Sequence, residues 1–241
     1  MHFGIKMAAP MKKFLTRIVS QSGDSPLGSV IFLHGSGDSG LGVQEWVNSA
    51  LGVKQLTFPH LRLLYPTAPA RPYTPMMGQY SNVWYDRQQI SPLAPDDASV
   101  DVMAADLSEL IQSEVQLGIP INRILIGSPG GFSMGGGMAL QLGYRYLREV
   151  AGVFAMSSFL GKQSLVYQAL QSDARPVPPL FQSHGEEDSL VMYPWGQDTF
   201  KRLTELGVKG QFHSVPGVYH DLDKQTLLKL CDWINVQVPQ S

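Results

Sequence analysis

The sequence predicts an α/β architecture, a mostly parallel central sheet with helices on both faces. Apolar runs of strand length alternate with segments of helical length, the order that arises when parallel strands are joined by crossover helices. One junction is sharper than the rest: apolar Ile124-Leu125-Ile126 leads through Gly131-Phe132-Ser133-Met134-Gly135 into a helical-looking segment. Strand, G-x-S-x-G, helix is the layout of a tight turn that lifts a serine side chain clear of the backbone. Hydrophobic residues make up 44% of the chain and charged residues 16%, enough apolar surface for a full core.

In chain order, the apolar runs predict strands at Phe14–Ser20, Ser29–His34, Arg62–Pro66, Arg123–Gly127, Gly152–Ser157, Leu180–His184 and Gln211–Val215. Helices are predicted at Val43–Ala50, Ser99–Gln116, Met138–Leu147, Pro194–Leu206 and Lys224–Val236. The second helix is the clearest. Val102, Leu107, Leu110, Ile111 and Val115 recur at three- and four-residue steps, and Gly118 stands just past its end as a cap. Between the third strand and that helix, Thr67 to Asp97 is read as a long irregular loop, rich in Pro, Gly and aromatics and packed near a pocket. No repeat or linker divides the chain. Residues 1–13 are therefore expected to be a mobile extension, with Met7 as an alternative start, and residues 14–241 a single domain.

Composition excludes several classes. A net charge of −2 without a Lys/Arg block provides no basic footprint for nucleic acid. The single cysteine, Cys231, rules out an internal disulfide framework and Cys-based zinc clusters, and no His pair has zinc-protease spacing. The N-terminal segment is too mixed for a signal peptide or a membrane span, so a cytoplasmic location is expected.

A serine hydroxyl is a poor nucleophile near neutral pH and needs a base, usually a histidine oriented by a buried carboxylate. When the serine lies on such a turn, the acid and then the histidine follow it along the chain. After Ser133 only His184, His213 and His220 remain. His213 falls inside a predicted strand and His184 at the end of another. His220 stands in a loop between the last strand and the last helix, and is the preferred base. Gly185-Glu186-Glu187-Asp188 offers three carboxylates after the strand ending at His184, and the residues alone do not rank them. The developing oxyanion needs backbone donors. The N–H of Met134, just after the serine, and that of Ser36, in the glycine-rich turn Gly35 to Gly40, are well placed.

These segments together resemble the acyl-protein thioesterase / lysophospholipase family of α/β hydrolases, with its lysophospholipase-like branch nearest. The resemblance is carried by F-L-H-G-S-G-D-S-G at 32–40, Y-P-T-A-P at 65–69, Y-T-P-M at 73–76, S-N-V-W-Y-D at 81–86, G-F-S-M-G-G at 131–136, A-G-V-F-A-M-S-S-F-L at 151–160, Q-S-H-G-x-x-D at 182–188 and Y-H at 219–220. It implies the α/β-hydrolase fold and hydrolysis of acyl thioesters, such as S-palmitoyl cysteine on proteins, or of small acyl oxygen esters. No cofactor or metal is implied, and any membrane contact would be transient. The family pattern puts the catalytic acid on Asp188, supports Ser133 as nucleophile, His220 as base and the Ser36 and Met134 amides as oxyanion donors, and places Trp84 in the acyl-binding region.

The chain departs from its relatives in one place. Ser128-Pro129-Gly130 is inserted between the strand and the G-x-S-x-G turn. Proline lacks the N–H of a central strand, so the ladder is expected to break there and the insert to bulge outward, leaving Ser133 in place. If the insert instead displaces the serine, the protein becomes an acyl- or partner-binding module. A dinucleotide-dependent oxidoreductase is the remote rival, because Gly35 to Gly40 also fits G-x-G-x-x-G. Asp38 inside that turn, and the lack of an acid from Lys54 to His60, count against it.

Overall fold

A computed structural model describes residues 14–20, 26–130 and 134–240. The expected N-terminal extension and residues Gly131, Phe132 and Ser133 lie outside the described residues. Every predicted strand is present: β1 Leu15–Ser20, β2 Gly28–Phe32, β3 Leu61–Thr67, β6 Ile124–Ser128, β7 Gly152–Met156, β8 Leu180–Gly185 and β9 Gly210–Val215. They form one sheet in the order β1-β3-β2-β6-β7-β8-β9. β1 runs antiparallel to β3, and all other pairings are parallel. The order reverses at β2, which pairs with β3 on one side and β6 on the other. Such a switch point opens a crevice at the carboxyl ends of the strands.

Strand alternation sorts the side chains into two cores. Ile31, Leu33, Ile124, Ile126, Val153 and Ala155 face one way, onto α2 (Ser99–Gln116), α3 (Met134–Gln141), α4 (Leu165–Ser172) and α5 (Tyr193–Glu205). Val30, Phe32, Leu125, Phe154 and Phe181 face the other, onto α1 (Gly40–Leu51) and α6 (Lys224–Gln237). The helical stripe read from the sequence is realised in α2, whose Val100, Met103, Ala104, Leu107 and Ile111 are buried. Val102, counted into that stripe, is 61% exposed, because the buried face is rotated by one residue. Among the described residues, no helix is long and apolar enough to cross a membrane.

The differences from expectation have local causes. The Thr67–Asp97 stretch is not wholly irregular, since β4 (Ala70–Tyr73) and β5 (Gln79–Asn82) pair as a separate antiparallel hairpin. Helix α4 was not anticipated. Its eight residues are too few for a periodic signal, and it is fixed by the Ser164 cap and by Asp96, whose Oδ2 accepts from Ser164 Oγ and the Leu165 amide. The helix expected over Met138–Leu147 begins at Met134 and ends in a π-helical turn, Leu142–Tyr146. The expected outward bulge at Ser128-Pro129-Gly130 is corrected: all three residues are buried. Ser128 still belongs to β6, opposite Ala155, and the ladder stops only where Pro129 removes a donor.

Candidate active site

The candidate residues come from loops that leave the carboxyl ends of β2, β8 and β9 and from the first turn of α3. Asp188 sits in the turn after β8, its side chain fully buried. Its Oδ1 accepts from the amides of Leu190 at 3.0 Å and Val191 at 2.8 Å, which fixes the carboxylate plane. Its Oδ2 lies 2.6 Å from His220 Nδ1. The structure thus brings together two of the residues singled out in the sequence, separated by 32 positions in the chain. Burial opposes the charge on Asp188, but hydrogen bonds from His184, His220 and the Val191 amide outweigh it and hold the carboxyl well below its usual range. Glu186 and Glu187, the other acids of that turn, are exposed.

His184, set aside as a base, has a supporting place. It is buried, its Nε2 lies 2.7 Å from the Val191 carbonyl and 3.4 Å from Asp188 Oδ2, and so it braces the turn that carries the acid. The H-G-x-x-D spacing was the sequence signal that could have found this contact. His213 lies in β9, as read, with its ring 4.8 Å from that of Phe181.

The oxyanion candidates also converge. Ser36 Oγ donates to Met134 Sδ at 3.7 Å, so the turn after β2 touches the first turn of α3. Gly135 permits this approach, because a Cβ there would stand 2.4 Å from the Leu33 carbonyl oxygen and 2.6 Å from that of His34. Amides in the first helical turn have no partner within the helix, and the amide of Met134 belongs to that turn. No bond among the described residues uses the Ser36 amide. His34 anchors the turn, with Nδ1 2.6 Å from the Gly35 carbonyl and Nε2 accepting from the Ala68 amide at 2.9 Å. Burial lowers the pKa of His34, consistent with a neutral ring that accepts at Nε2.

Trp84 lies behind this turn. It is fully buried, Nε1 donates to the His34 carbonyl at 2.8 Å, and the ring stands 4.8 Å from the His34 imidazole. It therefore offers no surface to a ligand in this conformation and supports the loop from within. The accessible cleft beside Ser36, about 220 Å³, is walled by Tyr73, Pro75, Met76, Ile90, Leu190 and Val191, with Arg87 among them. Sequence reasoning missed these residues, because they meet only when the β4–β5 hairpin folds against the turn after β8.

The buried insert reaches the same neighbourhood. Gly130 has φ +130°, and a Cβ on it would lie 2.5 Å from Leu222 Cδ2, two positions beyond His220. Ser133 lies outside the described residues, so its position relative to His220 stands as an expectation.

A parallel sheet reversed at β2, with a His–Asp pair and a glycine-lined turn at its carboxyl edge, defines an α/β hydrolase. The chain belongs to the phospholipase/carboxylesterase family, whose profile matches residues 16–238. It is 49% identical to lysophospholipase-like protein 1 of Mus musculus over 233 residues, 96% of each chain. To acyl-protein thioesterase 1 of Neurospora crassa it is 32% identical, over 88% of this chain and 87% of that one. Among solved structures it resembles acyl-protein thioesterase 2 of Zea mays, with TM-score 0.73 and 26% identity over 94% of this chain and 100% of that one. SOBER1 of Arabidopsis thaliana matches with TM-score 0.72 and 25% identity, over 88% and 99% of the two chains. The protein is accordingly an enzyme of the ester-hydrolase class.

Proposed function

We propose that this enzyme is a cytoplasmic serine hydrolase that removes acyl groups from thioesters or oxygen esters, with S-acylated, palmitoylated proteins as its principal substrates. Residues 14–241 act as one catalytic domain, without cofactor or metal, and contact membranes only transiently to reach acyl chains. The observation that carries the reading is the 2.6 Å contact between His220 Nδ1 and buried Asp188 Oδ2, in a turn whose Leu190 and Val191 line the same cleft as Ser36. The names of the relatives supply the substrate class.

With Asp188 on Nδ1, Nε2 is the ring nitrogen that takes the Ser133 hydroxyl proton as Oγ attacks the acyl carbonyl. The Ser36 and Met134 amides bind the oxygen that becomes negative, and the buried carboxylate stabilises the imidazolium. His220 then returns the proton to the departing thiol or alcohol. Water attacks the acyl-enzyme by the same relay, giving the free carboxylic acid and restoring the serine. The buried insert beside Leu222 bears on the second reading, a binding module whose serine is displaced.

A fluorophosphonate probe separates the two, because it labels only an activated serine. Covalent labelling of the intact protein that disappears in Ser133→Ala is expected. Absence of labelling in the intact, folded protein overturns the hydrolase reading and leaves the binding module.

A further inference from the structure

The cleft beside Ser36 contains a charge that neutral acyl-ester hydrolysis does not use. Arg87 is only 8% exposed. Its Nε donates to Tyr73 Oη at 2.8 Å and its Nη2 to Ser36 Oγ at 3.3 Å. Tyr73 and Ser36 both line the cleft, so the guanidinium lies in the wall between them. Both partners are neutral hydroxyls, and Arg87 makes no ion pair with a carboxylate among the described residues. The acids of the surrounding loops are engaged elsewhere. Asp86 accepts from the Thr74 amide and hydroxyl, Asp38 from the Ser39 amide, and Asp96 from Gln141, Ser164 and the Leu165 amide.

Arginine stays charged at any physiological pH, and a buried cation without an anion is costly. A purely hydrocarbon acyl chain would strip the remaining water from this guanidinium and return nothing. A carboxylate would supply the missing partner. Two bonds to neutral hydroxyls leave further donors of the five on the guanidinium, and its planar fork matches a carboxylate. The other residues of the wall, Pro75, Met76, Ile90, Leu190 and Val191, suit the methylenes between two acyl ends.

We infer that Arg87 forms an anion subsite in the acyl cleft, and that the enzyme accepts thioesters or esters of short dicarboxylic acids, with the free carboxylate on Arg87. The inference rests on the hydrolase reading above and specifies the acyl group of that same site. Arg87 is one hydrogen bond from the oxyanion turn, so the carboxylate must lie close to the scissile carbonyl. Succinyl and glutaryl chains meet that requirement. Hydrolysis adds water across the acyl–sulfur or acyl–oxygen bond and releases the diacid and the thiol or alcohol.

The test uses the full chain and thioesters with one common leaving group: succinyl and glutaryl against uncharged butyryl and valeryl. A further arm joins a neutral acyl group to a phosphorylated leaving group. The charged acyl groups should show kcat/KM roughly ten- to a hundredfold above their neutral counterparts, as expected for one charge-assisted pair. The preference should shrink with rising salt. It should vanish in Arg87→Gln and persist in part in Arg87→Lys, read as a ratio so that any general loss through Ser36 cancels. If Arg87→Gln does not fold, competitive inhibition of the intact enzyme by glutarate but not valerate decides instead.

Equal or faster hydrolysis of the neutral thioesters overturns the inference. So does a charge preference unchanged in Arg87→Gln, or one that follows the phosphate on the leaving group. In those cases fluorophosphonate labelling persists and the hydrolase reading stands. No hydrolysis of any substrate together with no labelling overturns both.

Discussion

At the residue scale the site depends on which groups hold Asp188 and His34 in one charge state. His184 braces the acid turn through the buried Val191 carbonyl. His184→Leu should therefore cost about 1–3 kcal/mol through the unsatisfied carbonyl. It should also lower kcat, because Asp188 loses a neighbour that fixes its plane. His184→Gln keeps a donor at the position of Nε2 and should recover most of both, as urea unfolding and steady-state kinetics on one acyl thioester would show.

Proton linkage gives a second check. The pKa of His34 is lowered by burial, so the unfolded chain binds a proton that the folded one refuses. Stability from this residue is complete above the unfolded value of about 6.5 and is lost as pH falls below it. Asp188 also has a lowered pKa, and its contribution is complete above about 3.9 and lost only in stronger acid. Urea midpoints measured from pH 7.5 to 5 should fall, and His34→Gln should flatten part of that fall. His213, also lowered by burial, accounts for some of the remainder. A wild-type midpoint independent of pH in that range would contradict the neutral, buried state of His34.

At the scale of the element, the short segment after β6 joins the sheet to the site. Gly130 combines a positive φ with close contact to Leu222, in the loop that carries His220. Gly130→Ala should destabilise by about 1–3 kcal/mol from backbone strain. By pushing Leu222, it should also lower kcat, and a shift near 1 Å costs about a hundredfold. Adding Leu222→Ala should recover activity by making room, while leaving the strain. Differential unfolding and kcat measured on both variants separate the two effects.

Across the whole molecule, the two ends of the sheet have different tasks. Opposite the site, where β2 and β3 begin, buried Glu114 accepts from Arg62 Nε at 2.9 Å, Arg62 Nη2 at 3.2 Å and Ser29 Oγ at 2.6 Å. Glu114→Gln removes the charge that this cluster was built around. It should lower stability by about 3–5 kcal/mol while leaving kcat within about twofold, since nothing at the carboxyl ends moves. Equal losses of stability and kcat would show that the two ends are coupled.

Sequence alone determined the seven strands of the main sheet, its mostly parallel character with helices on both faces, and His220 with three acids after β8, among which only the family resemblance picked Asp188. Apolar periodicity and short motifs are local properties, legible before the segments they will meet are known. Tertiary structure decided the rest: that Ser128-Pro129-Gly130 turns inward onto Leu222, that Trp84 stands behind the turn after β2, and that Arg87 lies in the cleft wall with no ion pair among the described residues. Those outcomes depend on contacts between segments distant in the chain, whose partners are chosen by shape and charge at closure.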